Sequence, residues 1–211
     1  MPITANQVKE LRDRSGVGMM DCKKALVEAD GNIDKAFDLL RKSGIAKAQK
    51  KAGRNAKDGN VISYIHPGSK LGVLLEINCE TDFVAKDSSF IQFTEDVVTK
   101  LSLSFNNSLM DLLKGDLEEK REKLIQKLGE NILVRRIAKS YKNSDFVGLY
   151  LHSNKKIACI VSLKGGSKNL ARDIAMRSAS SARRLARSSE DVIQSTPGVT
   201  YLQTSQQKSN N

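Results

Sequence analysis

The pattern that most constrains the fold of this chain is a segment that recurs at a constant offset of 86 residues. Residues 61–77, VISYIHPGSKLGVLLEI, align without a gap with residues 147–163, VGLYLHSNKKIACIVSL. Four positions are identical, and five more exchange one aliphatic side chain for another. In each copy two apolar runs flank a polar turn, which is typical of a β-hairpin. The repeat therefore predicts two equivalent hairpins within one fold.

An amphipathic helix is predicted after each hairpin. In the first copy, apolar residues recur at helical spacing, and their counterparts in the second copy lie 81 residues further on. The connection between strand and helix is therefore five residues longer in the first copy, with 12 residues (78–89) against 7 (164–170). A loop added to one copy of a duplicated scaffold is a reasonable place to look for function.

Three short helices are predicted before the first hairpin. Thr4 is a favourable N-cap for the first helix, and Gly16 breaks the chain after it. Gly31 is expected to end the second helix and Gly44 the third, because glycine readily adopts the conformation that follows a helix. The basic segment that follows, residues 46–58, is expected to be a linker to the first hairpin, either helical or mobile.

These patterns predict an α+β fold, in which a helical bundle precedes a core with a duplicated hairpin–helix subdomain. The predicted parts are a three-helix bundle (1–45), a basic linker (46–58), the first copy of the core subdomain (59–105), a helical connection with a strand (106–144), the diverged second copy (145–187) and a tail (188–211). The tail is expected to be disordered because it is polar and rich in Gln and Ser.

The net charge of +11 invites nucleic acid or an acidic partner. The charge is unevenly distributed, since residues 1–57 hold 13 Lys or Arg against 7 Asp or Glu, whereas residues 76–96 hold six acidic side chains and one Lys. Aromatic residues make up 5% of the chain and Trp is absent, so platforms for stacking bases are few. We therefore expect a protein partner and no nucleic acid, with a basic RNA- or ribosome-binding protein as the alternative.

Familiar motifs for catalysis, metal binding and nucleotide binding are absent from the sequence. Three widely spaced cysteines without a CxxC, and only two histidines, predict neither disulfides nor a zinc site but a reducing cytoplasm. There is no GxxxxGK[ST] phosphate loop, and no apolar run approaches the roughly 20 residues that a membrane helix needs. The two histidines occupy equivalent positions of the repeat, where a structural role is the simpler interpretation and a catalytic role the alternative.

Two adjacent methionines, Met19 and Met20, form the first candidate binding feature. Neighbouring residues on a helix point about 100° apart, so a small bundle cannot bury both side chains. We expect one methionine to fill the core and the other to contribute to an exposed surface for a partner, for which methionine is well suited.

The second candidate is the aromatic residue within the inserted loop. Phe83 lies between Asp82 and Lys86 in the stretch ETDFVAK. The simpler interpretation is that Phe83 folds back onto its own core. However, an apolar tip surrounded by polar groups fits an anchor that fills a pocket of a partner.

Four motifs of the chain resemble the translation elongation factor Ts family. They are VKELRDRSGVGMMDCKKAL, KAGR, EINCETDFVAK and KLGENILVRR, in that family's order and spacing from about Val8 to Arg136. A weaker resemblance continues through VGLYLHSNKKIACIVSLKGG and RDIAM to about Met176. The resemblance implies that the N-terminal helices form a bundle like that of ubiquitin-associated (UBA) domains, and that the α+β core contains a duplicated subdomain.

The resemblance also implies a function. Members of this family exchange guanine nucleotide on elongation factor Tu, the GTPase that carries aminoacyl-tRNA to the ribosome. Such a factor does no covalent chemistry, needs no cofactor or metal of its own and binds no nucleotide directly. By match, the residues that would displace Mg²⁺ in the GTPase are Thr81, Asp82, Phe83 and Val84. The matching docking surface would include Leu11, Val17, Met19 and Met20.

A second region of contact with the GTPase would include Leu151, His152 and Arg177. This chain departs from the family there, with Leu151 in place of the usual Gln and Arg177 in place of His, so we expect reduced affinity for the GTPase. A further alternative is that the N-terminal bundle alone binds a peptide or helix, in which case Met19 and Met20 matter and Phe83 does not. The oligomeric state does not follow from the resemblance.

Overall fold

The computed structural model describes residues 3–68, 71–103, 111, 113–140, 144–185, 195–196 and 199–203. Helices and antiparallel strands are both present there, which agrees with the α+β class. None of the helices in these ranges has the length and apolar character needed to cross a membrane. The elements are α1 (Ala5–Ser15), α2 (Met19–Glu28), α3 (Ile33–Lys51), β1 (Asp58–Ile65), β2 (Gly72–Cys79), α4 (Asp82–Lys86), α5 (Ser88–Leu103), α6 (Asp116–Leu128), β3 (Leu133–Ser140), β4 (Phe146–Leu151), β5 (Ile157–Leu163), α7 (Lys168–Leu185), β6 (Ser195–Thr196) and β7 (Val199–Gln203).

The chain divides into two compact units. The first unit combines Met1–Asn55 with Gly115–Ile132, and the second combines Ala56–Lys114 with Leu133–Asn211. The first unit therefore contains α1, α2, α3 and α6, whereas the second contains the strands together with α4, α5 and α7.

In the first unit, local capping and an apolar core explain why α1 to α3 form where the sequence predicts them. Thr4 caps α1, accepting a hydrogen bond from the Gln7 N–H at 3.3 Å, while the Gln7 side chain accepts from the Thr4 N–H at 2.9 Å. Gly16 ends α1 in the left-handed conformation, with φ of 67°. Small and aliphatic side chains of the three helices form the core: Leu11, Val17, Cys22, Ala25, Leu26, Ala29, Ala36 and Leu40.

The sequence predicts that α3 ends at Gly44, but the helix continues to Lys51. The reason is tertiary, because Gly44 faces α6 and a Cβ added there would lie 2.7 Å from the Gln126 Oε1 atom. Glycine at this position leaves room for the side chain of Gln126 between the two helices. Ala48, one turn further on, is also buried. Helix α6, expected as part of a connection, thus packs against α3, and residues 46–51 of the predicted linker are helical.

The second unit is built on two antiparallel sheets. One has the strand order β1-β2-β3 with β2 fully buried, and the other has the order β4-β5-β7-β6. Helix α5 packs against β1 and β2, and α7 packs against β4 and β5. The core between the sheets contains Val61, Leu74, Val147, Ala158 and Ile160.

Both predicted hairpins are present, each followed by a helix. In both, the backbone N–H of the histidine donates across the turn to a carbonyl oxygen at 2.9 Å. The hydroxyl oxygen of Tyr64 lies 3.4 Å from the Nδ1 atom of His66, and that of Tyr150 lies 3.0 Å from the Nδ1 atom of His152. These equivalent contacts support the structural interpretation of the two histidines. An origin by duplication, and the likeness of α1 to α3 to a UBA bundle, stay predictions.

The tail that we expected to be disordered contains β6 and β7. Strand β7 pairs antiparallel with β5, from Ile157 opposite Gln203 to Val161 opposite Val199. The expectation is wrong at these residues because pairing uses the backbone groups at the edge of β5, and a polar composition does not prevent that. Residues 188–194, 197–198 and 204–211 lie outside the described ranges.

Candidate functional site

The stretch around Phe83 is a one-turn helix, α4, and not the loop that we predicted. Thr81 caps it in an extended conformation, and its Oγ1 atom accepts a hydrogen bond from the Val84 N–H at 3.4 Å. The carbonyl oxygen of Thr81 accepts from the Ala85 N–H at 3.2 Å. Threonine is a favourable N-cap, so the residues that resemble the family motif are also the residues that begin this turn.

Helix α4 presents Phe83 to solvent. The Phe83 side chain is 81% exposed, whereas the next two residues, Val84 and Ala85, are 8% and 4% exposed. Successive residues of a helix point about 100° apart, so α4 buries one side in the second unit and turns the aromatic ring outward. The interpretation that Phe83 folds back onto its own core is therefore wrong.

Hydrogen bonds hold the backbone of α4 at both ends. The thiol of Cys79, the last residue of β2, donates to the Thr81 carbonyl oxygen at 3.2 Å. At the other end, the Nδ2 atom of Asn60 donates to the Ala85 carbonyl oxygen at 2.7 Å. The carboxylate of Asp87 accepts from the first N–H groups of α5, at 2.7 and 3.4 Å. The exposed Phe83 ring is thus carried by a turn whose backbone is held by hydrogen bonds at both ends.

Asp82 is paired within its own helix. The Nζ atom of Lys86 lies 2.6 Å from the Oδ2 atom of Asp82, and both side chains are exposed. The hydrogen bond from Lys86 holds the pKa of Asp82 below its ordinary value, and the same bond raises the pKa of Lys86. Exposed pairs of this kind contribute little to stability, so this carboxylate can exchange Lys86 for a polar group of a partner.

Among the residues expected in the docking surface, the structure separates two exposed from two buried. Met19 and Met20 are 57% and 68% exposed, so the expectation that one of them fills the core is wrong. Leu11 and Val17 are buried in the core of the first unit, and their contribution to partner docking stays a prediction. The methionines remain exposed because α2 turns its small side chains, beginning at Cys22, toward α1 and α3.

Sequence reasoning missed a further apolar residue on the exposed side of α2. Val27 is 59% exposed and lies seven positions after Met20, a spacing that places both on one helical face. This spacing was the signal available in the sequence. A shallow surface groove there is lined by Met20, Lys23, Lys24, Val27 and Glu28.

The second predicted contact region lies in the second unit. Leu151 is half-buried and packs against the apolar cluster between the two sheets, so its side chain serves the core. His152 is half-buried beside the Tyr150 hydroxyl. Arg177 is exposed on α7. Leu151 and His152 thus both have contacts within the second unit, whereas Arg177 is exposed.

The chemistry of the described residues offers no obvious nucleophile or metal site. All three cysteines are buried free thiols. Burial raises the pKa of Cys159 to about 12, so this thiol stays protonated near neutral pH and is a poor nucleophile. Within the described ranges, no group of three or more His, Cys, Asp or Glu side chains is arranged to hold a metal ion.

More than half of the chain matches a known family. Residues 80–197 fit the family described as Elongation factor TS. This chain belongs to the elongation factor Ts family. The elongation factor Ts of Marinobacter nauticus is 52% identical over 174 residues, which is 82% of this chain and 60% of that protein. That of Hahella chejuensis is 51% identical over 174 residues, with the same coverage, and that of Saccharophagus degradans is 49% identical over 179 residues, or 83% of this chain and 61% of that protein.

The range that matches the elongation factor Ts family includes α4 and all three residues of the second predicted contact region. The relatives extend the similarity to the first unit, since they match more than four-fifths of the chain. The chain spans about three-fifths of the length of these relatives.

Proposed function

We propose that this chain is a translation elongation factor that exchanges guanine nucleotide on the GTPase elongation factor Tu. The observation that carries the proposal is the exposed Phe83 on α4, within the matched family range. An aromatic side chain that is 81% exposed, on a turn held by hydrogen bonds at both ends, has the properties of an anchor for a partner's pocket.

The proposed mechanism weakens GDP binding through the Mg²⁺ ion of the GTPase. Phosphate-loop N–H groups and Mg²⁺ hold GDP there, and Mg²⁺ requires nearly ideal octahedral geometry. A ring that enters a pocket beside this site shifts the element that supports the ion, and GDP is then held less tightly. By linkage, GDP weakens binding of the factor by the same ratio, so the factor stabilises the empty GTPase until GTP displaces it.

The predicted residues have different roles in the proposed exchange. Phe83 is the wedge, and Asp82 is the polar group beside it that makes a contact with the GTPase in place of Lys86. Met19 and Met20 contribute apolar area to docking. The exchange needs no catalytic residue and no cofactor of this chain, and the buried free cysteines suit a reducing cytoplasm. His152 and Arg177 contribute to a second contact.

The decisive experiment measures release of a fluorescent GDP from elongation factor Tu by stopped flow, over a range of chain concentrations. We expect the wild-type chain to accelerate release and Phe83→Ala to abolish most of the acceleration. Leu103→Ala is a matched control, because Leu103 is an exposed apolar residue, 73% exposed, outside the predicted sites. Unchanged acceleration by Phe83→Ala would refute the wedge. Weaker binding with an unchanged rate at saturation would make Phe83 an anchor only.

A basic RNA- or ribosome-binding protein is the second candidate, favoured by the net charge of +11 and by exposed basic side chains on α7, such as Lys168 and Arg172. It predicts an affinity for RNA that falls steeply with salt. The exchange factor predicts instead a complex with one GTPase that dissociates when GDP and Mg²⁺ are added.

A further inference from the structure

A buried amide in the first strand contacts the turn that carries Phe83. Asn60 lies in β1 and is 6% exposed, opposite Ile77 of β2. Its Nδ2 atom donates to the carbonyl oxygen of Ala85 at 2.7 Å in buried surroundings. Burial of an amide is unfavourable unless it forms hydrogen bonds, so this contact accounts for a polar side chain at a buried position of the sheet.

The bond satisfies a carbonyl group that the helix itself leaves without a partner. The last four carbonyl groups of any helix accept no hydrogen bond from an N–H group of that helix. Helix α4 has only five residues. A helix this short does not persist by itself in water. Thr81 holds the amino-terminal end of α4 through its side chain, and Asn60 holds the other end.

Phe83 depends on these contacts for its direction. Because its side chain is 81% exposed, the ring has little packing of its own to orient it. Its orientation follows from the backbone of α4, which is held by the burial of Val84 and Ala85 and by the two terminal hydrogen bonds.

We propose that Asn60 is a positioning residue for Phe83, which fixes the ring's direction by holding the carboxyl-terminal end of α4. The part of this proposal that concerns nucleotide exchange rests on the function proposed above. Asn60 is buried and acts through α4, without touching the GTPase. Loss of its donor leaves the Phe83 side chain itself unchanged but lets the turn that carries it adopt other conformations.

The predicted effect is larger on the rate than on the affinity. The ring can still enter its pocket from a loosened turn, but it is less often aligned with the element that it must displace. Since a misplacement of about 1 Å costs up to roughly 100-fold in rate in other systems, we expect a fall of about tenfold in the maximal rate of GDP release. The concentration of chain that gives half-maximal release should change much less.

The test uses the full chain with Asn60→Leu, which has a similar volume and no donor. Asn60→Asp, which keeps the shape and lacks the N–H, replaces it if the leucine variant does not fold. Asn131→Leu is the matched control, because the Asn131 amide is also buried and donates to backbone carbonyl oxygens in the first unit, at 2.9 and 3.3 Å. For each variant, NMR relaxation gives the backbone order parameter of Phe83, and stopped flow gives the maximal rate of GDP release.

The expected result is a lower order parameter at Phe83 in the Asn60 variants alone, together with the lower maximal rate. An unchanged order parameter would overturn the positioning role, whatever the rate. A lower order parameter with an unchanged maximal rate would show that exchange does not need this positioning. If the wild-type chain itself fails to accelerate release, the proposed function is wrong, and the order parameter still decides whether Asn60 positions Phe83.

Discussion

Phe83 and its neighbours have separate roles, since the neighbours hold α4 in place and Phe83 is exposed to a partner. The buried side chains of Val84 and Ala85 hold α4 against the rest of the second unit, and Thr81 caps the helix. The exposed Phe83 side chain does not support the fold, so truncating it should impair nucleotide exchange without unfolding the chain. Such separation is what makes Phe83→Ala an informative variant, since exposed positions away from the core rarely change stability by more than about 0.5 kcal/mol.

The ion pair of Asp82 and Lys86 gives a prediction at the same scale. The paired carboxyl has a lowered pKa, so the small stabilisation from the pair is present above the ordinary value of 3.8 and is lost as the pH falls through the folded value. In Lys86→Met, we expect the pKa of Asp82 to rise toward 3.8, because the hydrogen bond and the attraction of Lys86, which lower it, are both lost. An NMR titration of the Asp82 carboxyl carbon checks this, and an unshifted titration would contradict the pairing.

Among the elements of the second unit, the two hairpins share one buried apolar core. Val61 and Leu74 of the first hairpin share one buried cluster with Val147 and Ile160 of the second. The Nζ atom of Lys156 also donates to the Asp58 carboxylate and, at 2.5 Å, to the Gly59 carbonyl oxygen. The second hairpin thus contacts and stabilises β1, the strand that contains Asn60.

This packing predicts that Gly72→Ala destabilises the second unit. A Cβ at Gly72 would lie 2.3 Å from the Ile160 Cδ1 atom and 2.8 Å from the Val147 Cγ1 atom. Added volume in a packed core typically costs about 1–3 kcal/mol, which urea unfolding would measure. Gly53→Ala is the control, because a Cβ there meets no atom within 4 Å. Equal stability of the two variants would mean that the sheets can separate without cost.

At the scale of the whole molecule, the candidate residues are distributed over two units. Met19 and Met20 belong to the first, and Phe83 to the second. An exchange factor can use such a division, because one surface can supply affinity while another disturbs the nucleotide site. Binding that is equal in the ground and activated states changes affinity alone, whereas contacts made only during exchange change the rate.

We therefore predict different kinetic effects from the two units. Met20→Ser should raise the chain concentration for half-maximal GDP release by about tenfold, the scale expected for a buried side chain of this size, and leave the maximal rate unchanged. Phe83→Ala should lower the maximal rate. The double variant should combine both effects, because the residues lie in separate units. A maximal rate that falls with Met20→Ser would show that the two surfaces do not act separately, and Leu103→Ser serves as the control.

Much of the local structure was predictable because short-range interactions decide it. Apolar periodicity located most helices and both hairpins, Thr4 was identified as a cap, and a strand was predicted within residues 131–141, where β3 lies. The repeat also drew attention to the stretch around Phe83, although its side chain was expected in a loop and lies on one turn of helix. Thr81 carried the signal for that turn, since Thr is a favourable N-cap.

The sequence by itself determined the order and type of most elements, the position of the inserted stretch and the family. Only the tertiary structure decided that Leu11 and Val17 are buried while both methionines are exposed. The same holds for the continuation of α3 through Gly44 against α6 and for the pairing of β7 with β5. These outcomes depend on contacts between residues far apart in the chain, which periodicity and capping do not specify, whereas helix and hairpin formation depends on neighbours within a few positions.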